Sequence, residues 1–201
     1  MLLWNGDEAG LLLGEERREA IATIGTHHYT HSVPSGKSHY VMYDRAVVCW
    51  AIPANKNIGR FLLGRDAVVW ELSRLWAPDG HRRNLLTEAI AYAVRILVTL
   101  EDPDILVSYA DPNVGHSGGV YRAASWIFLG QCDESRTYRD HHGHVIARRA
   151  FHSGSRGMTK QQILDAGYIQ LRLPGKFRFA KPLSRKVRRE LRMRFPQWCV
   201  K

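Results

Sequence analysis

The chain has 201 residues, 45% of them hydrophobic, with a formal net charge of +10 and a pI near 9.9. That length and apolar content support one domain with a substantial core and exclude a disordered chain away from the termini. No run of about 18 apolar residues occurs, which excludes a spanning helix and a membrane partner, and the excess of lysine and arginine points to a polyanion, because basic side chains displace the counterions condensed on a phosphate backbone.

The opening MLLWNGDEAG lacks a basic region ahead of an apolar core, so a cytoplasmic location is expected. Cys49, Cys132 and Cys199 are odd in number and far apart, which fits free thiols rather than a disulfide framework or a zinc site. Residues 15–24 read as a short amphipathic helix, followed by the polar THHYTHSVPSGKSH. Pro34, Ser35 and Gly36 mark that stretch as a loop, so its histidines are read as exposed. Residues 39–43 and 46–52 flank Asp44-Arg45 as a β-hairpin, and 53–59 read as a turn. AVVWELSRLW, at 67–76, fits a central strand with Glu71, Ser73 and Arg74 as its polar exceptions. A charge in a buried strand needs a partner.

The next segment, APDGHRRNLLTEAIAYAVRILVTLEDPD, repeats Leu86, Ala89, Ala93, Leu97 and Leu100 at spacings of three and four, which predicts a long helix with one apolar face. Asn84 is placed to cap its start and Pro103 to mark its end. Strand, loop, helix and strand predict a βαβ unit. Its loop carries Gly80, His81, Arg82 and Arg83 beside the free N–H groups of a helix N-terminus, which suits a phosphate or pyrophosphate; a solvated basic loop is the competing reading.

Residues 104–131, DILVSYADPNVGHSGGVYRAASWIFLGQ, bring the most chemistry into one place. Ile105, Leu106, Val107 and Tyr109 predict a buried strand stopped by Asp111-Pro112-Asn113. Gly115, Gly118 and Gly119 allow a tight turn or close approach of a ligand, 120–125 fits a brief helix, and 126–129 a second strand. Asp111, Ser117 and Tyr121 then gather at one strand end, where open α/β sheets bind ligands.

Beyond Gln131, a solvated loop holds His141, His142 and His144, and 159–166 reads as a helix capped by Thr159. IQLRL and KFRFA, around Pro174-Gly175, predict a β-hairpin. Leu183, Val187, Leu191 and Phe195 then predict a final amphipathic helix. Ten Lys or Arg lie between Arg172 and Arg194 against the single Glu190. Lys176, Arg178, Lys181, Arg185, Lys186, Arg188 and Arg189 are therefore the nucleic-acid-binding candidates, with a solvated charge run as the bland alternative.

This order of elements resembles the GNAT acyltransferase fold. The resemblance implies a single α/β domain over 1–201, a three-layer fold with a central mixed sheet; the charge pattern makes 150–201 a basic extension of β-hairpin and helix expected to bind nucleic acid. It also implies an acyl donor such as acyl-CoA, whose diphosphate binds the loop before the long helix. In the family, arginine or glutamine precedes two glycines there; RLWAPDGHRRN offers only Gly80. Arg74, Gly80, Arg82 and Arg83 are the donor-binding candidates.

A narrower resemblance rests on HHY at 27–29, LSRLW at 72–76, SYADPNVGHSGGVYRAASWIFLG at 108–130 and GKFRFAKPL at 175–183, which resemble the phage Mom family of DNA modification proteins. That family converts adenine in phage DNA to N6-carbamoylmethyl adenine and protects the genome from host restriction. By resemblance, His28, Tyr29, Arg74, Asp111, Ser117 and Tyr121 belong to the active site.

The product constrains the reaction, because acetyl transfer onto N6 leaves an acetamide rather than a methylene ending in a carboxamide. One route uses glycyl-tRNA as donor; another uses a metal such as iron held by His28, Tyr29 and Asp111. Asp111 is read as taking the N6 proton or as capping its turn, and Tyr121 as donating a proton or as packing in the core. Ser117 binds donor or intermediate, or serves the turn. Arg74 binds a carboxyl, a phosphate or DNA, or pairs with Glu71. N6 lies on the Watson–Crick edge, so double-stranded DNA must present a flipped adenine. A GNAT enzyme acylating a small amine or protein, and an inert nucleic-acid-binding module, remain as other classes.

Overall fold

The computed structural model describes residues 10–148, 151 and 157–198; the readings made on the first nine residues and on Cys199 lie outside them. Helix α1 (Gly14–His27) precedes an antiparallel hairpin of β1 (Ser38–Tyr43) and β2 (Ala46–Ala51), which turns on Asp44 and Arg45 at φ 45° and 68°. Two consecutive left-handed residues match the right-handed twist of hairpin strands. Helix α2 (Ile58–Leu63) stands partly where the sequence predicts only a turn. Six residues are too few to show a helical period, and its stability comes from burying Ile58, Leu62 and Leu63.

Strand β3 (Val69–Trp76), helix α3 (Leu85–Glu101) and β4 (Ile105–Ala110) form the expected βαβ unit, with β3 and β4 parallel. Asn84 precedes α3 but does not cap it through its side chain: it is left-handed at φ 66°, and its carbonyl accepts from Thr87 Oγ1 at 2.8 Å. A short 3-10 turn (Pro112–Val114), helix α4 (Gly119–Ala123) and β5 (Ile127–Gln131) follow. Strands β6 (Ser135–Arg139) and β7 (Val145–Ala147) then lead to α5 (Lys160–Asp165), whose Thr159 cap accepts from the Gln162 backbone N–H. Strands β8 (Ile169–Leu173) and β9 (Phe177–Pro182), helix α6 (Arg185–Arg194) and a 3-10 turn (Pro196–Trp198) complete the described chain.

The main sheet runs β1-β2-β3-β4-β9-β5, and a small sheet runs β7-β6-β8. The predicted β8–β9 hairpin is therefore corrected: β8 pairs with β6, whereas β9 lies antiparallel between β4 and β5. Phe179 and Ala180 point to opposite faces and both are 0% exposed, so β9 needs cover on two sides, while Ile169 of β8 is exposed. Strand β9 is thus an inner strand of the central sheet.

Helices α3 and α4 cover one face over Val48, Trp50, Trp70, Leu72, Leu106 and Phe179. On the other face, α1 packs over Tyr40, Val47 and Cys49, and α2 with α6 over Val69, Ile105, Val107 and Ala180. The result is an α/β fold of three layers around a mixed sheet. Cys49 and Cys132 are free thiols. Among the described residues, no helix is long and apolar enough to cross a membrane.

Candidate active site

The β3–β4 ladder ends at Leu72 and Ser108, although β3 continues to Trp76 and β4 to Ala110. Beyond that point β3 pairs with β2 through Arg74, Leu75 and Trp76, while β4 pairs with β9 through Tyr109 and Ala110. Buried Ser108 marks the parting, its hydroxyl donating to the Leu72 carbonyl at 2.8 Å. A cavity of about 410 Å³ opens there, at the carboxyl ends of the parallel strands. Small-ligand pockets run from roughly 300 to 1,000 Å³.

Both layers reach this gap. His28 and Tyr29 come from the loop after α1, Ser73 and Tyr109 from the strands, Leu86 from α3, and Ser117, Gly118 and Tyr121 from the turn and helix after β4. Gly118 sits at φ 78°, and a Cβ there would overlap the Phe179 ring, so only glycine lets the turn lie this close to the sheet. Arg122 Nη1 holds the turn by donating to the Ser117 carbonyl at 2.8 Å.

Tyr121 is 8% exposed and packs on Trp126 and Phe179 at ring separations of 5.6 and 5.1 Å. Burial pushes its phenol up to about 12, against the effect of a hydrogen-bonding contact with Ser108, so it stays protonated at neutral pH. His28 is 8% exposed, against the expectation of a solvent-facing loop histidine. Its Nδ1 accepts the Thr30 backbone N–H at 3.2 Å, which assigns the proton of the neutral ring to Nε2. Burial first, then the charges of Arg74, His116, Lys176 and His31, pull the imidazole down to about 4. The Tyr29 ring lies 4.5 Å from His28 and meets His116 edge-on at 5.0 Å.

The low His28 value has a consequence for stability. Between pH 6.5, its ordinary value, and about 4, the unfolded chain binds this proton while the folded chain does not, so stability falls as pH drops through that window. Above it the histidine is neutral in both states and contributes nothing to the slope. His28→Gln is expected to flatten the melting temperature against pH between those values; an unchanged profile counts against a buried neutral His28.

Arg74 holds the loop that carries His28. Its Nε donates to the Ser32 carbonyl at 2.8 Å and its Nη1 to the Ser73 carbonyl at 2.7 Å. Arg74→Ala is expected to speed amide exchange over 28–33 by about tenfold, given roughly 1–1.5 kcal/mol for a lost hydrogen bond. Unchanged exchange there would mean that the loop is held by other contacts.

Asp111 is not part of the cavity lining. Its Oδ1 accepts from Asn113 N and Nδ2 at 3.0 and 2.8 Å, and its Oδ2 faces Lys176 Nζ at 3.1 Å. Burial opposes ionisation, but the Asn113 hydrogen bonds and the Lys176 cation outweigh it and hold the carboxyl below its ordinary value. The turn-capping role is therefore realised. Of the expected metal set, His28 and Tyr29 line the cavity, whereas Asp111 does not, and both of its oxygens have partners. Among the described residues, no cluster of three or more His, Cys, Asp or Glu could hold a metal ion.

The other expected residues separate into groups. Arg82 is paired on the surface with Asp44 at 3.0 Å and Glu88 at 2.6 Å and does not line the cavity. Gly80 and Arg83 are exposed, and neither lines the cavity. Of the basic candidates, Lys176 pairs with Asp111, Arg178 stacks 4.6 Å over Phe61 and reaches Cys132 Sγ, and Lys181 donates to the Ala124 carbonyl at 3.0 Å. Burial followed by the charge of Arg188 lowers the Lys181 value. These three serve the fold or the cavity rim. Arg185, Lys186, Arg188 and Arg189 are exposed on α6, whose Val187 and Leu191 face inward. His116 and Tyr109 line the cavity and are site residues that the sequence reading passed over.

Fold and site together define an α/β protein with a ligand-sized cleft through the parted ends of a parallel strand pair. The chain belongs to the Mom protein family, whose model matches residues 15–199. It is 27% identical over 152 residues to the methylcarbamoylase Mom of Escherichia phage Mu, a match that covers 72% of this chain. The chain spans 61% of the length of that relative.

Proposed function

We propose that the protein is a DNA-modifying transferase that converts adenine to N6-carbamoylmethyl adenine and thereby shields DNA from restriction. The observation that carries this reading is the cavity itself, which draws lining residues from both faces of the sheet and contains two groups, Tyr121 and His28, that keep a donor proton or a neutral ring at pH 7. The phage Mu relative, named a methylcarbamoylase, supports the type of group transferred. A cleft lined by residues from two faces suits a reaction in which an extruded base and a group donor meet.

The chemistry balances with a glycyl ester such as glycyl-tRNA as donor. N6 attacks the ester carbonyl, the tRNA hydroxyl leaves, and N6 loses a proton. The free glycyl amine then attacks purine C6, the C6–N6 bond breaks, and the old N6 becomes the terminal carboxamide. The second step is an isomerisation that needs no oxidant. In this reading Tyr121 protonates the leaving oxygen and His28 Nε2–H hydrogen-bonds the carbonyl oxygen. Ser117 contacts the donor. Asp111 acts through the turn it caps and through Lys176 at the rim.

The GNAT-like reading of the fold is supported by the element order and by the parting of β3 and β4 beside α3. Engagement of Arg82 by Asp44 and Glu88 speaks against acyl-CoA bound through its diphosphate at that loop. Co-expression with a plasmid, digestion to nucleosides and mass spectrometry test the proposal, with Asp111→Ala as control. A modified adenosine is expected from the wild type and its near absence from the control. With ¹⁵N-glycine, the label should stay on the nitrogen attached to C6; label confined to the carboxamide would reject the rearrangement.

A further inference from the structure

The sheet edge beside the cavity presents an aromatic surface that the proposed reaction does not use. Trp198 is 43% exposed, meets the half-buried Phe128 of β5 edge-on at 5.2 Å, and lies over Gly130, where a Cβ would come within 3.0 Å of the indole. Gly130 stands in the irregular β5–β9 register at φ 81°, so the strand bends where the indole rests on it. The exposed Arg122 lies 5.0 Å over Phe128, and its Nη1 donates to the carbonyl of Ser117, a cavity-lining residue. A continuous run of contacts thus leads from the cavity rim through Arg122 and Phe128 to Trp198.

We infer that Arg122, Phe128 and Trp198 form a platform for the DNA nucleotide next to the extruded adenine, with a base stacked on Trp198 and a phosphate met by Arg122. The inference rests on the DNA reading above. An exposed indole and a guanidinium near it combine the two attractions that unpaired nucleic acid offers, a π-face and a phosphate charge. A duplex that has lost one base to a cavity has unstacked neighbours, and a platform at the rim restores the stacking they have lost. The net charge of +10 favours an anionic strand over other occupants of this surface.

The test measures binding of the full chain to labelled, adenine-containing DNA oligonucleotides, some carrying 5-iodouracil beside the adenine. Trp198→Leu is expected to weaken binding roughly 5-fold to 100-fold with an unchanged salt slope, because stacking releases no counterion. Trp198→Phe should recover most of the loss, and Arg122→Ala should lower the salt slope by about one. Irradiation of the wild-type complex should crosslink the iodouracil to Trp198 or Phe128, which does not depend on any variant folding. Unchanged affinity of Trp198→Leu together with crosslinks elsewhere overturns the platform and leaves the DNA reading standing. A folded wild type that binds no DNA overturns both.

Discussion

Tyr121→Phe is expected to lower the yield of N6-carbamoylmethyl adenine by about 10²–10⁴-fold, the range over which a positioned acid acts, while leaving the fold in place. The phenol stands where β3 and β4 part, beside Ser108, and burial holds it protonated with its value pushed up to about 12. An ordinary tyrosine begins to ionise near pH ~10, so the buried one keeps its proton through the mildly alkaline range. Removing the hydroxyl costs a hydrogen bond of about 1 kcal/mol, a shift of roughly 2–4 °C in a chain of this size, because the ring still packs on Trp126 and Phe179. Modified adenine at the wild-type level in Tyr121→Phe would leave that residue with a packing role alone.

Gly118→Ala is expected to destabilise the protein by roughly 2–4 kcal/mol, read as a fall of about 4–16 °C in melting temperature. Two costs add. Alanine is strained at φ 78°, and its Cβ would overlap the ring of Phe179, a side chain that is 0% exposed and flanked by packed strands. Gly115→Ala separates them, because Gly115 has the same backbone hand at φ 81° but open space around it, so it should show only the first cost, about 1 kcal/mol. Equal losses at the two positions would mean that the turn moves away from Phe179 freely. Since the same turn carries Ser117 and leads into Tyr121, Gly118→Ala should also depress the modification yield.

Local sequence was enough for the elements whose signals are themselves local. The period of Leu86, Ala89, Ala93 and Leu97 announces α3, Asp44-Arg45 between apolar runs announces the first hairpin, and Thr159 announces α5. The stretch 104–131 placed Asp111, Ser117 and Tyr121 at one strand end, because strand, glycine turn and helix are adjacent in the chain; Ser117 and Tyr121 line the cavity there, and Asp111 does not. Helix α2 gave no signal, since a six-residue helix has no visible period and depends on α6, more than a hundred residues away, for its cover.

What the sequence determined by itself was the first hairpin, the βαβ unit with its long helix and the residues of the central turn, since propensity, periodicity and turn chemistry act between neighbours. Tertiary structure alone decided that β9 enters between β4 and β5, that His28 is buried and neutral, that Lys176 pairs with Asp111, and that Arg178 and Lys181 are partly buried while α6 keeps its cations exposed. Each of those outcomes depends on a partner distant in sequence: Asp111 for Lys176, Phe61 for Arg178, Ala124 for Lys181. A charge or a ring shows its type in the sequence, but the group that will neutralise it or desolvate it is chosen only when the sheet closes.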